Sequence, residues 1–241
     1  PEILETPEIL GTFEILEAVK EYPVKHTLIA STSSAYGSNT EMPYHELQKC
    51  DHQLSFYAAT KKSGEIMAHS YSHIYDIPIT MFRFFTVYGP WGRPDMALFK
   101  FTKAMLAGDK IDIYNNGKMQ RDFTYVEDLV EAIRLLIDCV PNSSVDKLGD
   151  IAIDSMSPIA KHRIVNIGNS QSIQLMDFVK ALEKTLGITA KKNYMPMQMG
   201  DVPATWADAT LLKRLTGYSP KTNIEDGVRK FVEWYRFYYN I

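Results

Sequence analysis

A tyrosine and a lysine four residues apart, Tyr57 and Lys61, form a pair that could do chemistry in this sequence. On a helix, residues at i and i+4 lie on one face, so the lysine ammonium can stabilise a phenolate on the tyrosine. A base of this kind can take a proton from a sugar hydroxyl while a hydride leaves the same carbon. Chance is the alternative explanation, because the 14 tyrosines also produce Tyr114 and Lys118, which fall on an Asn-Gly turn.

A cluster of hydroxyl side chains, Ser31 to Ser34, precedes this pair in the sequence. The cluster directly follows the short apolar run 26–30, which predicts a buried parallel strand. In open α/β sheets, ligands collect at the carboxyl ends of the strands. The hydroxyl cluster is therefore well placed to line a ligand site.

The elements that must position these residues alternate between strands and helices. Ser55 is the expected N-cap of the helix that carries Tyr57 and Lys61. The apolar patterns predict strands at 26–30, 78–87, 111–114 and 163–167, and helices at 12–20, 55–75, 96–107, 126–139, 175–186, after 208 and from 225. This alternation predicts an α/β protein with a parallel sheet and right-handed crossovers.

The composition limits the classes of function. The 241 residues carry a formal net charge of −3, so no overall field favours nucleic acid or an anionic membrane. No stretch approaches ~18 consecutive apolar residues, and the first residues are acidic where a signal peptide would be basic. Cys50 and Cys139 are far apart, and no Cys/His spacing indicates a metal site. We therefore expect a cytoplasmic protein without metal, nucleic-acid or membrane ligands.

Five motifs in a fixed order carry a resemblance to a known family. They are the hydroxyl cluster, Tyr57 with Lys61, the run Arg83–Pro90 (RFFTVYGP), the run Arg121–Asp128 (RDFTYVED) and the run Gly200–Asp208 (GDVPATWAD). In this order they resemble the extended short-chain dehydrogenase/reductase family, and within it the nucleotide-sugar 4-epimerases of the UDP-glucuronate type. The resemblance runs from Gly11 to about Tyr239.

The resemblance implies a Rossmann-like parallel sheet with helices on both faces, together with a small α/β domain for the substrate. It places the NAD-binding domain at 1–88 and 117–170, and the nucleotide-sugar-binding domain at 89–116 and 171–241. It also implies that NAD is held tightly and recycled, with contacts from Thr32, Tyr57, Lys61 and Phe85. Family members commonly dimerise through the helix of Tyr57 and the helix before it, so a homodimer is expected. The predicted dimer face of the Tyr57 helix comprises Ala59, Ser63, Ile66, Ser70 and Tyr71.

One part of the family pattern does not occur in this sequence. Family members begin with a strand, a glycine-rich turn that binds the pyrophosphate and an acidic residue for the ribose. Roughly 90 residues of the dinucleotide-binding half are therefore expected to lie outside this chain. A truncated chain, an incomplete record of the protein and a non-catalytic remnant that binds nucleotide sugar remain open as explanations.

The residues at the site distinguish between the reactions of the family. Dehydratases carry Asp-Glu at the positions of Ser33 and Ser34, and decarboxylases that form UDP-xylose carry Glu at the position of Ser34. Without these carboxylates, removal of a proton at C5 has no evident agent. Epimerisation at C4 needs only hydroxyls, with Thr32 at the position of the catalytic Ser/Thr and Ser34 beside it. A UDP-hexuronate 4-epimerase is the leading hypothesis, and a UDP-glucose 4-epimerase is the alternative.

The resemblance also assigns residues to the substrate. Thr86 and Arg93, assisted by Ser33, are expected to hold the C5 carboxylate of the sugar, since an arginine is well suited to a carboxylate. A solvated charge is the alternative for Arg93. Arg121 matches a diphosphate-binding arginine and Asp201 matches a ribose-binding aspartate. Gln198 stands where relatives carry arginine.

Overall fold

The computed structural model describes residues 7–142, 154–198 and 201–241. Its helices are α1 (Pro7–Glu21), α2 (Phe56–Tyr75), α3 (Ala97–Ala107), α4 (Val126–Leu136), α5 (Leu175–Leu186), α6 (Thr210–Thr216) and α7 (Ile224–Tyr239). Its strands are β1 (Thr27–Ala30), β2 (Ile79–Phe84), β3 (Thr86–Tyr88), β4 (Lys110–Ile113), β5 (Gln120–Arg121), β6 (Phe123–Tyr125), β7 (His162–Ile167), β8 (Ile173–Gln174), β9 (Lys191–Tyr194) and β10 (Ala204–Thr205). The helices expected from the sequence are all present, with ends that differ by a few residues.

The chain divides into two compact units. As far as they are described, unit 1 comprises residues 1–84, 132–167 and 207–219, and unit 2 comprises residues 85–131, 168–206 and 220–241. These limits differ from the domain ranges expected from the sequence in four segments, 85–88, 117–131, 168–170 and 207–219. The assignment of NAD and substrate to those ranges stays a prediction.

Unit 1 is built on a parallel sheet with strand order β1-β2-β7. Thr27 lies opposite Ile79 on β2, and Ile79 lies opposite His162 on β7. The central strand β2 is buried along almost its whole length, as expected of a parallel strand covered on both faces. Helices α1 and α2 pack together, and Leu16, Ala68 and Met81 contribute to their shared core. The predicted parallel α/β architecture is therefore confirmed.

Unit 2 contains short strand pairs around an aromatic core. β3 pairs with β6 and β4 pairs with β9, both in parallel, while β5 lies between β10 and β8. In the core, the rings of Phe123 and Phe178 stack with centroids 4.5 Å apart. Buried aromatic side chains contribute large apolar areas to such a core.

The strand expected over 78–87 is wrong in one respect. The extended chain breaks at Phe85, where β2 ends in unit 1 and β3 begins in unit 2. Two different partners cause the break, because β2 pairs with β7 and β3 pairs with β6. The short strands β5, β6, β8, β9 and β10 were also not expected, since runs of two to four residues give no periodicity to detect. Among the helices that the structure describes, none is long and apolar enough to cross a membrane.

Candidate active site

Helix α2 presents Tyr57 and Lys61 near its beginning. Ser55 caps the helix, and its side chain accepts a hydrogen bond from the backbone N–H of Ala58. Tyr57 is 48% exposed, so the residue is accessible from solvent. Lys61 donates from Nζ to the carbonyl oxygen of Ala30 at the end of β1, 3.2 Å away. The single helix that the predicted pair requires is therefore confirmed, while the roles of the two residues stay predictions.

The hydroxyl cluster follows β1 and leads into a short 3₁₀ helix over Ser33–Tyr36. Residues Ser31–Tyr36 are called the hydroxyl segment below. Thr32 is buried and caps this turn, because its Oγ1 accepts the backbone N–H of Ser34 at 3.1 Å. The Ser34 side chain is exposed. Gly37 ends the turn at a φ of 59°, and a Cβ there would lie 2.1 Å from the carbonyl oxygen of His52. Only glycine fits at this position, so the shape of the segment is fixed locally.

A buried ion pair lies behind these residues and was not expected from the sequence. Glu65 of α2 and Arg83 of β2 form a bidentate pair, with Arg83 Nε and NH2 each 2.7 Å from a carboxylate oxygen. Burial acts to raise the pKa of Glu65, but the hydrogen bonds and charge of Arg83, assisted by Lys62 and Ser31, lower it to about 2. The available signal was an arginine inside an apolar strand, which must find a partner when buried.

A second buried carboxylate, Glu46, lies near the end of β7 in unit 1. Its Oε1 accepts the backbone N–H of Asn166 at 2.8 Å. Burial, the dominant effect, raises the pKa of Glu46 to about 7. Asn166 also accepts the hydroxyl proton of Tyr36 at 2.7 Å. Polar side chains thus continue from the hydroxyl segment into the interior of unit 1.

Unit 2 brings together two of the predicted nucleotide-binding residues. Arg121 NH2 lies 2.7 Å from Asp201 Oδ1, and both side chains remain partly exposed. The side chain of Gln198 is exposed, and its backbone carbonyl oxygen accepts the backbone N–H of Asp201. Gly200, which begins the predicted motif, lies outside the described residues. Arg121 and Asp201 are close enough to hold a diphosphate and a ribose side by side.

The predicted carboxylate-binding residues of unit 2, Thr86 and Arg93, line the same pocket. Arg93 is 77% exposed and makes a bidentate ion pair with Asp95, at 3.0 Å from Nε and 2.5 Å from NH2. Thr86 lies on β3 and donates its backbone N–H to the carbonyl oxygen of Asp122. Phe85, expected at the cofactor, is buried where β2 gives way to β3.

Comparison with known proteins identifies the family. A family model described as GDP-mannose 4,6 dehydratase matches residues 1–231. The chain belongs to this family. The extended short-chain dehydrogenase/reductase membership predicted from the motifs is therefore confirmed.

Relatives and solved structures narrow the similarity to epimerases. A protein of Rhizobium meliloti (strain 1021) described as "probable UDP-glucuronate 4-epimerase" is 51% identical over 94% of this chain and 67% of its own length. The structure of UDP-glucuronic acid 4-epimerase from Bacillus cereus with UDP-glucuronic acid and NAD is 31% identical, with a TM-score of 0.82, over 96% of this chain and 68% of that one. UDP-glucose 4-epimerase from Thermotoga maritima with UDP-glucose is 28% identical at the same TM-score, over 96% and 70%. The epimerase type expected from the sequence is thus confirmed at the level of relatives.

Proposed function

We propose that this protein catalyses the NAD-dependent 4-epimerisation of UDP-glucuronate to UDP-galacturonate. The observation that carries the proposal is the hydroxyl segment beside helix α2, where Ser33 and Ser34 replace the two carboxylates that a dehydratase of this family needs. With no acid or base at these positions, chemistry at C5 and C6 is not supported. The relatives described as UDP-glucuronate 4-epimerases support the choice of substrate.

In this proposal the residues of unit 1 perform the proton transfer. Tyr57 takes the proton of the 4-hydroxyl as the C4–H bond breaks, and Lys61 stabilises the phenolate. Thr32 and Ser34 hydrogen-bond the C4 oxygen and hold it near Tyr57. Bound NAD would supply the acceptor for the C4 hydride and its return to the opposite face of the sugar. Tyr57 then returns the proton to the C4 oxygen, so the sugar is neither oxidised nor reduced overall.

The residues of unit 2 bind the substrate. Oxidation of UDP-glucuronate at C4 gives a β-keto acid, which loses CO₂ when its carboxylate rotates into line with the carbonyl. Arg93 and Thr86 prevent this rotation by holding the carboxylate. Arg121 and Asp201 hold the diphosphate and ribose, and Gln198 stands at the position of a further polar contact.

The donors present in unit 1 fit the nicotinamide end of NAD. The Tyr57 hydroxyl, the Lys61 ammonium and the Thr32 hydroxyl are groups that can hydrogen-bond a ribose. We propose that these residues hold that end of the cofactor. The chemistry they supply is orientation of the ring and control of the Tyr57 proton.

The test is product analysis. Incubation of the full protein with NAD and UDP-glucuronate should give UDP-galacturonate until equilibrium is reached. UDP-pentose as the main product would instead identify a decarboxylase. UDP-sugar binding without turnover and without bound NAD would favour a non-catalytic nucleotide-sugar-binding protein, which mass analysis of the denatured supernatant detects.

UDP-glucose is the second candidate substrate, favoured by the likeness to the Thermotoga maritima enzyme. A comparison of kcat/KM for UDP-glucose and UDP-glucuronate decides between the two. We also propose a homodimer and a cytoplasmic location. The two cysteines, Cys50 and Cys139, lie far apart in the sequence and do not have the spacing of a disulfide framework, which supports a reducing compartment.

A further inference from the structure

The Glu65 carboxylate is the centre of a buried cluster that the proposed mechanism does not use. Its Oε1 accepts Ser31 Oγ at 2.6 Å and Arg83 Nε at 2.7 Å. Its Oε2 accepts Arg83 NH2 at 2.7 Å and Lys62 Nζ at 2.9 Å. The side chains of Glu65 and Arg83 are each 1% exposed. All acceptor positions of a buried carboxylate are thus occupied by charged or hydroxyl donors.

Arg83 also reaches the far end of the hydroxyl segment. Its guanidinium carbon lies 4.6 Å from the centre of the Tyr36 ring, a cation–π contact. The Tyr36 hydroxyl donates to Asn166 on β7, and its ring stacks on Tyr44 at 4.4 Å. The segment is therefore held at Ser31 by Glu65 and at Tyr36 by Arg83. Thr32 and Ser34 lie between these two anchor points.

The same cluster includes the helix of the tyrosine base. Glu65 follows Lys61 by four residues, one turn further along α2. Lys61 already contacts the end of β1 through the Ala30 carbonyl, directly before Ser31. Two successive turns of α2 therefore contact the end of β1, through Lys61 at residue 30 and through Glu65 at residue 31.

A purely stabilising role does not account for this arrangement. A buried ion pair loses much of its Coulombic gain to desolvation, and apolar replacements of similar volume are often as stable. What the pair adds is geometry, because a bidentate arginine–carboxylate contact fixes both distance and orientation. Proton transfer needs heavy atoms within about 2.6–3.2 Å, and a shift of about 1 Å can cost ~100-fold in rate.

We propose that Glu65 and Arg83 are positioning residues that fix the segment Ser31–Tyr36 against helix α2, and so keep the hydroxyls of Thr32 and Ser34 in register with Tyr57. The catalytic part of this inference rests on the proposed function. The structural part, the anchoring of the segment, does not.

Ser31→Ala is the decisive variant, with Lys62→Ala as its matched control. The first removes the hydrogen bond from the segment to the Glu65 carboxylate and leaves the bidentate pair intact. The second removes a donor of the same carboxylate from the more exposed side, where the Lys62 side chain is 23% exposed. In the ligand-free protein, amide hydrogen exchange over residues 32–36 should become about tenfold faster in Ser31→Ala and stay unchanged in Lys62→Ala.

The NAD-loaded enzyme supplies the kinetic readout. Ser31→Ala should lower kcat about tenfold with KM for UDP-glucuronate unchanged, and Lys62→Ala should retain wild-type kcat. The kinetic isotope effect with deuterium at C4 should rise in Ser31→Ala, because misalignment slows C–H cleavage. Mere loss of folded enzyme would lower kcat and leave the isotope effect unchanged.

The outcomes separate the two levels of the inference. Unchanged exchange in Ser31→Ala, or equal acceleration in Lys62→Ala, overturns the anchoring. Faster exchange with unchanged kcat and isotope effect overturns the positioning role. If the wild-type protein does not epimerise UDP-glucuronate, the proposed function and the catalytic part fail together, and the exchange experiment still decides the anchoring. Glu65→Gln is a poorer probe, since it leaves the buried charge of Arg83 uncompensated and can prevent folding.

Discussion

At the scale of single residues, Arg93 separates a uronate epimerase from one that acts on neutral sugars. Its guanidinium is exposed and already paired with Asp95. Arg93 would therefore exchange Asp95 for the substrate carboxylate. We expect this exchange to contribute about 1.5 kcal/mol of binding free energy, the lower end of the range for a charge-assisted contact. Arg93→Ala should lower kcat/KM for UDP-glucuronate about tenfold and leave that for UDP-glucose nearly unchanged. Steady-state kinetics with both sugars measures the difference.

Arg229→Ala is the control for this substitution, because Arg229 is also an exposed arginine with acidic partners, Asp226 and Glu233, in unit 2. It should leave both values of kcat/KM unchanged. With Arg93→Ala, UDP-pentose-4-ulose and CO₂ should also form, since the 4-keto acid can rotate. An equal loss toward both sugars without decarboxylation would show that Arg93 holds the nucleotide or its own loop.

A buried histidine, His162, gives unit 1 a dependence on pH. Burial, followed by the neighbouring His69, lowers the pKa of His162 to about 4. The imidazole has a pKa of about 6.5 in the unfolded chain and about 4 in the folded protein. Between these two pH values the unfolded state binds more protons, so the free energy of unfolding falls as the pH drops. When the pH is lowered from 7 to 5, the free energy of unfolding of the wild type should fall by roughly 2 kcal/mol more than that of His162→Gln.

Urea unfolding followed by circular dichroism at the two pH values measures this difference. His73→Gln is the control, because His73 is exposed on α2 and its Nδ1 contacts the carbonyl oxygen of Ile159. It should show the same loss of stability on acidification as wild type. If the free energy of unfolding of His162→Gln fell as much on acidification as that of the wild type, His162 would not be the source of the pH dependence.

At the scale of elements, the beginning of helix α2 connects stability to activity. Ser55 caps the helix, and Tyr57 lies in its first turn. Ser55→Ala should cost about 1 kcal/mol of stability and, by fraying that turn, lower kcat as well. Asn223→Ala removes the corresponding cap of α7, where Asn223 accepts the N–H of Asp226. It should cost a similar free energy of unfolding without lowering kcat, as thermal unfolding and initial rates can show.

For the molecule as a whole, we predict that the proposed dimer forms through helices α1 and α2. Of the predicted dimer face, Ile66 is 62% exposed and Ser70 is exposed. Tyr71, also predicted there, donates its hydroxyl proton to Glu17 of α1 within the same chain. Ile66→Glu should convert a dimer into monomers at micromolar concentration, because a charge on an apolar interface remains unpaired. Light scattering measures the mass.

Val130→Glu provides the comparison, since Val130 is a similarly exposed aliphatic residue, on α4. Its dimer should persist. A wild-type monomer at micromolar concentration rejects the proposed assembly, and a dimer that survives Ile66→Glu places the interface on another surface.

The helices, the strands of the unit 1 sheet and the family could be predicted from the sequence alone. The alternation of apolar runs gave the parallel strands β1, β2 and β7, because local periodicity reports which residues must be buried. The motif at Tyr57 and Lys61 required a helix, and the Ser55 cap made that helix expected. These features depend on neighbours within a few residues, which is why they could be predicted without coordinates.

The pairing of residues that are distant in the sequence depends on the tertiary structure. The run 78–87 has one continuous apolar pattern, yet it divides at Phe85 because its two halves bond to different strands. Arg83 gave no hint of which carboxylate it binds, and Glu65, 18 residues earlier, has no local pattern that marks it. Burial and pairing depend on contacts far apart in the chain, and local sequence does not encode them one residue at a time.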